Sequence, residues 1–453
     1  MLRPGSVYNS SMGHLAGKKA YRDLQQRLDR MPVGAPAHRA FFELLEELFT
    51  EEECRVAAGI PLRLASLRSI ARNAGLSDDS TRKILDGLVR KGLVVDLPRD
   101  GRSTVFYLNP TIVGFFEFTL MRVREEVDQK RVAELMWAYL RDDPELGFMR
   151  MLAEGDTFIA RPLVNEDALE PEVWTEILDA DKASAIIDEA SSWAEGVCHC
   201  RHVKLHLGKR CDYPIDHCLA LNNGADYLVR AGIAKRIDRE RARDVLAYAR
   251  EHGNVQMADN VRNRPGFICN CCSCCCEMME AFRTLPEMTR VISSNYIATI
   301  GADDCSGCGK CAEACPIDAI EVVPADGTPT TPTRKKRAEV AAERCPGCGV
   351  CRAACEFDGL TMTAAPQRIY TPDNVMEKIA LQAIERGKLQ ELLFNDPGKI
   401  THRTLGALLR TIANLPPAKQ AMASRQLKSR FVSLMTGAFR KGVSKTPVLE
   451  SRA

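Results

Sequence analysis

The sequence predicts a multidomain protein, mainly α-helical with small α+β modules. Three observations carry that expectation. At 453 residues the chain is long enough for about three domains. Apolar residues recur at helical spacing through most of it. Eighteen of the nineteen cysteines fall between Cys198 and Cys355, which marks a compact part built around thiols. Apolar residues make up 45% and charged residues 27%, ordinary for a globular chain. A net charge of +2 excludes a molecule-wide field of the kind that holds nucleic acid or membrane.

In chain order, residues 1–35 are a polar arm ending in a Pro/Gly stretch, Pro32 to Pro36. Residues 36–110 read as three helices and a hairpin. Phe41, Leu44, Leu45 and Leu48 mark the first helix, and Leu64, Leu67, Ile70 and Ala71 the second. Gly75 stops the second, Ser77 caps the third, and Ile84, Leu85, Leu88 and Val89 line its buried face. The runs LVVDL and TVFYL, joined through Pro98 to Arg102, form the hairpin. Residues 111–195 read as a helical linker domain holding Trp137, Trp174 and Trp193. Residues 196–285 form a cysteine-rich helical module, 286–365 a second cysteine module, and 366–453 a basic helical region. From Pro397 to Leu449 there are ten Lys/Arg and no Asp or Glu.

No apolar run approaches the ~20 residues a membrane-spanning helix needs, and the first residues lack the apolar core of a secretory signal. The expected location is cytoplasmic. Reducing conditions there keep thiols free as metal ligands, and so many in a long chain point to metal.

The second module carries an internal repeat. Cys305-Ser-Gly-Cys308-Gly-Lys-Cys311-Ala-Glu-Ala-Cys315-Pro316 returns as Cys345-Pro-Gly-Cys348-Gly-Val-Cys351-Arg-Ala-Ala-Cys355-Glu356. Each copy is C-x2-C-x2-C-x3-C, a spacing that lets a glycine-bearing loop set three thiolates around one iron–sulfur cube while the fourth reaches another. Gly307, Gly309, Gly347 and Gly349 suit a backbone that wraps closely and aims N–H groups at sulfur. Paired zinc sites are the competing reading, but zinc usually takes two C-x2-C knuckles.

These residues, over about 290–365, resemble the bacterial-type two-cluster [4Fe-4S] ferredoxin. The resemblance implies two [4Fe-4S] clusters, one on Cys305, Cys308, Cys311 and Cys355, the other on Cys315, Cys345, Cys348 and Cys351. It also implies short strands near Ile297–Ile300, Ile320–Val323 and Leu360–Thr363 in a βαβ-type repeat, with Pro316, Gly307 and Gly347 shaping the cofactor loops. Two departures stand out: Glu356 replaces the second proline, and the segment from Asp326 to Lys336 is long and polar. A carboxylate at 356 would lower a nearby cluster's potential.

The first module holds ten cysteines: Cys198, Cys200, Cys211, Cys218, Cys269, Cys271, Cys272, Cys274, Cys275 and Cys276. In extended chain Cys-x-Cys places two thiols on one side and Cys-Cys on opposite sides, so all ten cannot serve one cube. One or two further Fe–S clusters, structural zinc aided by His199, His202, His206 or His217, and a redox-active thiol site are the three readings. The order C-x-C-R-H, C-x6-C, C-N-C-C-S-C-C-C resembles a group of 4Fe-4S proteins of anaerobic bacteria and archaea in which this module adjoins a two-cluster ferredoxin. The resemblance implies redox function and names no substrate. Arg201 and His202 either neutralise cluster charge or cap a helix.

Residues 36–110 resemble a winged helix domain, which would aim Ser80–Lys83 at DNA bases and Arg99 and Arg102 at phosphate. The stretch has eleven Lys/Arg against eleven Asp/Glu, too even for an electrostatic footprint, so DNA is the less favoured partner. Leu427, Phe431, Leu434 and Phe439, flanked by basic residues, would form a helix suited to an anionic membrane surface or an acidic partner. Cys54 reads as a small buried apolar residue.

No G-x-G-x-x-G, P-loop or G-x-S-x-G is present, so no independent substrate site or catalytic residue is recognised. The expected function is an iron–sulfur electron-transfer protein, a relay subunit or dedicated donor of an anaerobic oxidoreductase. The alternative is a redox-responsive regulator using the winged helix.

Overall fold

A computed structural model of the chain describes residues 19–99, 101–141, 147–153, 155–169, 181–285, 292–301, 304–325, 336–357, 359–366, 368–399, 401, 402 and 404. Trp174 and the basic helix expected around Leu427–Phe439 lie outside them.

The amino-terminal helices form where local signals agree. Thr50 and Glu53 make a reciprocal capping box at the start of Glu51–Ala58. Ser66 and Ser77 cap Leu67–Ala74 and Asp78–Arg90, and Gly75 ends the former in left-handed geometry at φ 70°. Strands β1 (Ala65–Ser66), β2 (Val94–Arg99) and β3 (Arg102–Leu108) make a three-stranded sheet in the order β1-β3-β2. Helix Arg39–Leu48 packs on Gln129–Arg141 through an aromatic cluster. In it Phe41 stacks on Tyr139 at 4.8 Å and Phe115 meets Phe116 edge-on at 4.9 Å.

The centre of the molecule is a six-stranded antiparallel sheet, which corrects the mainly helical expectation. Its strands are β4 (Ala160–Pro162), β5 (Trp193–Gly196), β6 (Cys218–Leu221), β7 (Lys235–Ile237), β8 (Val255–Asp259) and β9 (Phe267–Cys271), in the order β4-β8-β9-β6-β5-β7. The stretches 111–195 and 196–285 are therefore not helical alone, and the sheet takes strands from both. These strands escape a pattern reading because they are short, and the inner ones are largely covered on both faces. All of β8 is buried, so no polar alternation marks it.

Side-chain parity divides the two faces. Leu219, Leu221, Ala258 and Ile268 pack under helices Ala183–Glu189 and Arg239–Glu251. Ala220, Met257 and Cys271 point the other way into the main core, with Cys218 and Cys269 against it. Three cysteines thus share one face of the sheet.

The second cysteine module consists of two antiparallel ribbons. β10 (Tyr296–Ile300) pairs with β13 (Leu360–Ala364), and β11 (Ile320–Pro324) with β12 (Lys336–Val340). Three of these strands lie where the ferredoxin resemblance expects them. β12 falls at the end of the polar inter-motif segment, whose residues 326–335 are outside the described set. The module is docked: the Asn165 N–H donates to the Cys348 carbonyl at 2.9 Å, and Cys348, Ile317 and Ala319 join the main core. Past it, helix Val375–Glu385 lies against the sheet with Lys378 paired to Asp259, both buried. The chain then returns to the amino-terminal helices, where Asn73 donates to Asp396 at 3.2 Å.

Candidate metal centres

Cys305, Cys308 and Cys311 meet the sequence-distant Cys355 around one small cavity, lined also by Ile300, Ala338, Phe357 and Leu360. Cys315, Cys345, Cys348 and Cys351 form a second group. Burial first, then the charges of Cys348, Cys345 and Cys315, pushes the Cys351 thiol upward. The loops have the backbone that sulfur ligands need. Gly307 and Gly347 adopt φ of 69° and 75°, and a Cβ on either would fall on the carbonyl of Lys336 or of Tyr296. The Ala319 N–H donates to Cys315 Sγ at 3.2 Å. Burial raises Cys345, against donation to its sulfur from the N–H groups of Ala298 and Gly347. A cavity walled by four thiols and N–H donors aimed at sulfur fit a cluster.

Glu356 forms an ion pair with Lys310 at 2.5 Å. Its charge is met at the surface by the Lys310 ammonium. Pro316 lends its carbonyl to Arg283 at 2.7 Å.

The ten cysteines of the first module separate into four and six. Cys211, Cys272, Cys274 and Cys275 bring their sulfurs within 4.8 Å of one another. Cys198, Cys200, Cys276, Cys271, Cys269 and Cys218 follow as a chain of interacting thiols in that order. The same six, together with Cys272 at its edge, line a cavity of ≈ 280 Å³ whose other walls are largely apolar, including Phe118, Met121, Met149 and Phe158. Local structure explains the split. Cys269 and Cys271 alternate along β9 onto one face, while Cys272 opens the following turn, at the edge of the same cavity and 3.9 Å from Cys211. Cys198 and Cys276 sit at the N-caps of His199–His206 and Glu277–Thr284, so two helix starts aim at the six-thiol group.

Arg201 lies between the groups, 1% exposed. Burial opposes its charge, but Cys198, Cys272, Cys271 and Cys211 outweigh it and hold the guanidinium above its ordinary pKa. Nη2 donates to the Asn270 carbonyl at 2.8 Å and the guanidinium lies over the Tyr213 ring at 4.2 Å, whereas Nε and Nη1 have no hydrogen-bond partner among the described residues. Orphaned donors of a buried cation beside thiols suit an anionic cofactor. His202 has another role: Nδ1 bonds the Leu120 carbonyl at 2.7 Å and Nε2 meets His206 at 3.1 Å.

Sequence reasoning missed Glu117, whose carboxyl faces the large cavity and is pushed up to about 7 by burial. Nothing in the local sequence signals it, because its burial arises from elements remote in the chain.

Residues 304–358 match the family described as the 4Fe-4S dicluster domain. No curated protein and no solved structure matches the chain. The dicluster match and these thiols support iron–sulfur electron transfer in general. In particular, the chain carries a 4Fe-4S ferredoxin-like module and binds a 4Fe-4S cofactor. Among the described residues no helix is long and apolar enough to cross a membrane.

Proposed function

We propose that the chain passes single electrons between partner proteins, as a relay subunit or dedicated donor of an oxidoreductase. Cys305, Cys308, Cys311 and Cys355 hold one [4Fe-4S] cluster, and Cys315, Cys345, Cys348 and Cys351 the other. When bound, such clusters take up and release one electron at a time. The six thiols of the large cavity hold a further Fe–S centre, with Arg201 offsetting its charge.

The observation that carries this reading is a gradient of burial. Cys308 is exposed, whereas Cys348 and Cys351 are buried. Cys348 shares one continuous core with Cys271 and Cys276 of the inner cavity. A partner docking at Cys308 therefore stands at one end of a line leading inward. The basic segment beyond Pro397 is suited to recruiting an acidic redox partner or an anionic membrane surface.

A redox titration of anaerobically purified protein, followed by electron paramagnetic resonance, tests the reading. Reversible one-electron steps from at least two centres are expected, with C308S altering one of them and slowing transfer to an external acceptor. Clusters that cannot be reduced and reoxidised would end the relay reading.

The regulator reading places a winged helix at 36–110. Of the residues meant to read bases, Thr81 and Arg82 are engaged within the protein, whereas Ser80 and Lys83 are exposed. Thr81 is fully buried, Ser80 bonds Ser77 at 2.9 Å, and Arg82 lies over the Phe106 ring at 5.2 Å. Binding to duplex DNA that weakened steeply with salt would revive it.

A further inference from the structure

The four thiols of Cys211, Cys272, Cys274 and Cys275 stand closer together than a cluster allows. Cys211 and Cys272 are 3.9 Å apart, Cys275 and Cys211 3.6 Å, and Cys274 and Cys275 3.7 Å. All four sulfurs fall within 4.8 Å of one another. Four thiolates around one tetrahedral ion at the usual metal–sulfur distance lie about 3.8 Å apart. Thiolates of a cube each bind a different iron and must stand farther from one another. The molecule contains its own comparison. Among the described residues, no other group of three or more His, Cys, Asp or Glu ligands gathers so tightly, the eight cysteines of the dicluster segment included.

We infer that Cys211, Cys272, Cys274 and Cys275 form a closed tetrahedral site for a single metal ion, separate from every iron–sulfur cluster of the chain. Zinc is the ion such an all-thiolate shell takes without redox change, and a lone iron would adopt the same geometry. The site ties together two stretches that the antiparallel pairing of β6 with β9 brings side by side: the irregular segment between helix His199–His206 and β6, and the turn after β9. Cys276 N–H donates to the Cys272 carbonyl at 3.4 Å, closing that turn so that residues 272, 274 and 275 present sulfur to one point. Ser273, inside the turn, accepts a hydrogen bond from Arg283 at 2.7 Å, and Arg283 also holds Pro316. The ion therefore fixes the part of the first module that touches the second.

The inference divides the ten cysteines into four for one ion and six for the cavity. It stands independently of the relay reading, because zinc reports on one and iron with sulfide on the other.

The test is zinc, iron and acid-labile sulfide per chain in the full-length, anaerobically purified protein and in C211S and C274S. One zinc per chain that both variants lose, with iron and sulfide unchanged, is the expected result. One iron in excess of sulfide, lost in the same variants, supports the site with iron as its ion. Loss of about four irons with matching sulfide would assign the thiols to a cube and overturn the inference. Zinc retained in full by both variants would overturn it equally. Should the variants not fold, X-ray absorption of the wild-type protein decides. A shell of four sulfurs at about 2.3 Å around zinc or around the sulfide-free iron is expected, and neither ion, or a shell containing nitrogen or oxygen, refutes it.

Discussion

Arg283 donates to the carbonyl of Pro316 at 2.7 Å, directly after Cys315, and through its other arm to Ser273 at 2.7 Å. One guanidinium thus clasps both cysteine-rich modules by their backbones. Hydrogen bonds from a charged donor contribute about 1.5–3 kcal/mol each where solvent is partly excluded. R283A is expected to lower the urea midpoint for loss of cluster absorbance by an amount corresponding to about 2 kcal/mol. R283K, keeping one arm, should recover part of it. A midpoint unchanged in R283A would show that apolar packing alone holds the modules together.

The glycine loops predict an asymmetry. A Cβ at position 347 would meet Ser294 and the Tyr296 carbonyl, whereas at 309 it would only touch a methyl group of Val322 at 3.5 Å, an ordinary van der Waals contact. G309A faces only left-handed strain of about 1–2 kcal/mol and should keep its full iron. G347A should lose about four irons, one cube. Iron and sulfide analysis of both variants checks this.

Burial, reinforced by Glu53, pushes the Cys54 thiol up to about 12, and the residue is fully buried. At pH 8 almost none of it is thiolate, so it should resist iodoacetamide in the native protein and react in denaturant. Peptide mass spectrometry reads the difference, and rapid native labelling would contradict the burial.

Glu117 yields a pH dependence. Its folded pKa, about 7, lies above the ordinary 4.5, so the fold favours the protonated carboxyl. Its contribution is complete below about pH 4.5 and is lost as pH rises through 7. A shift of that size is worth on the order of 3 kcal/mol at most. E117Q should match the wild type near pH 5 and melt at higher temperature at pH 8. Parallel melting profiles across that range would place Glu117 in water.

Much of the second module was legible because its information is local. The repeat of C-x2-C-x2-C-x3-C carries its own loop geometry, and the strand positions beside Ile297, Ile320 and Leu360 came from the resemblance to two-cluster ferredoxins that it carries. The caps at Ser77 and Gly75 were equally readable, since a cap acts over three or four residues. The central sheet was not. Its strands are three to five residues long, come from residues 160 to 271, and show no alternation where both faces are covered.

What the sequence by itself determined is the chemistry: a thiol-rich iron–sulfur protein, with adjacent cysteines that cannot all serve one cluster. Only the tertiary structure decided which thiols stand together. Cys211 meets Cys272 across sixty-one residues, and Cys198 shares a cavity with Cys218, Cys269 and Cys276. Ligand spacing within a loop is set by a few backbone torsions and can be read along the chain. Grouping across the sheet depends on register, side-chain parity and the burial of both faces, and those quantities exist only once the strands have paired.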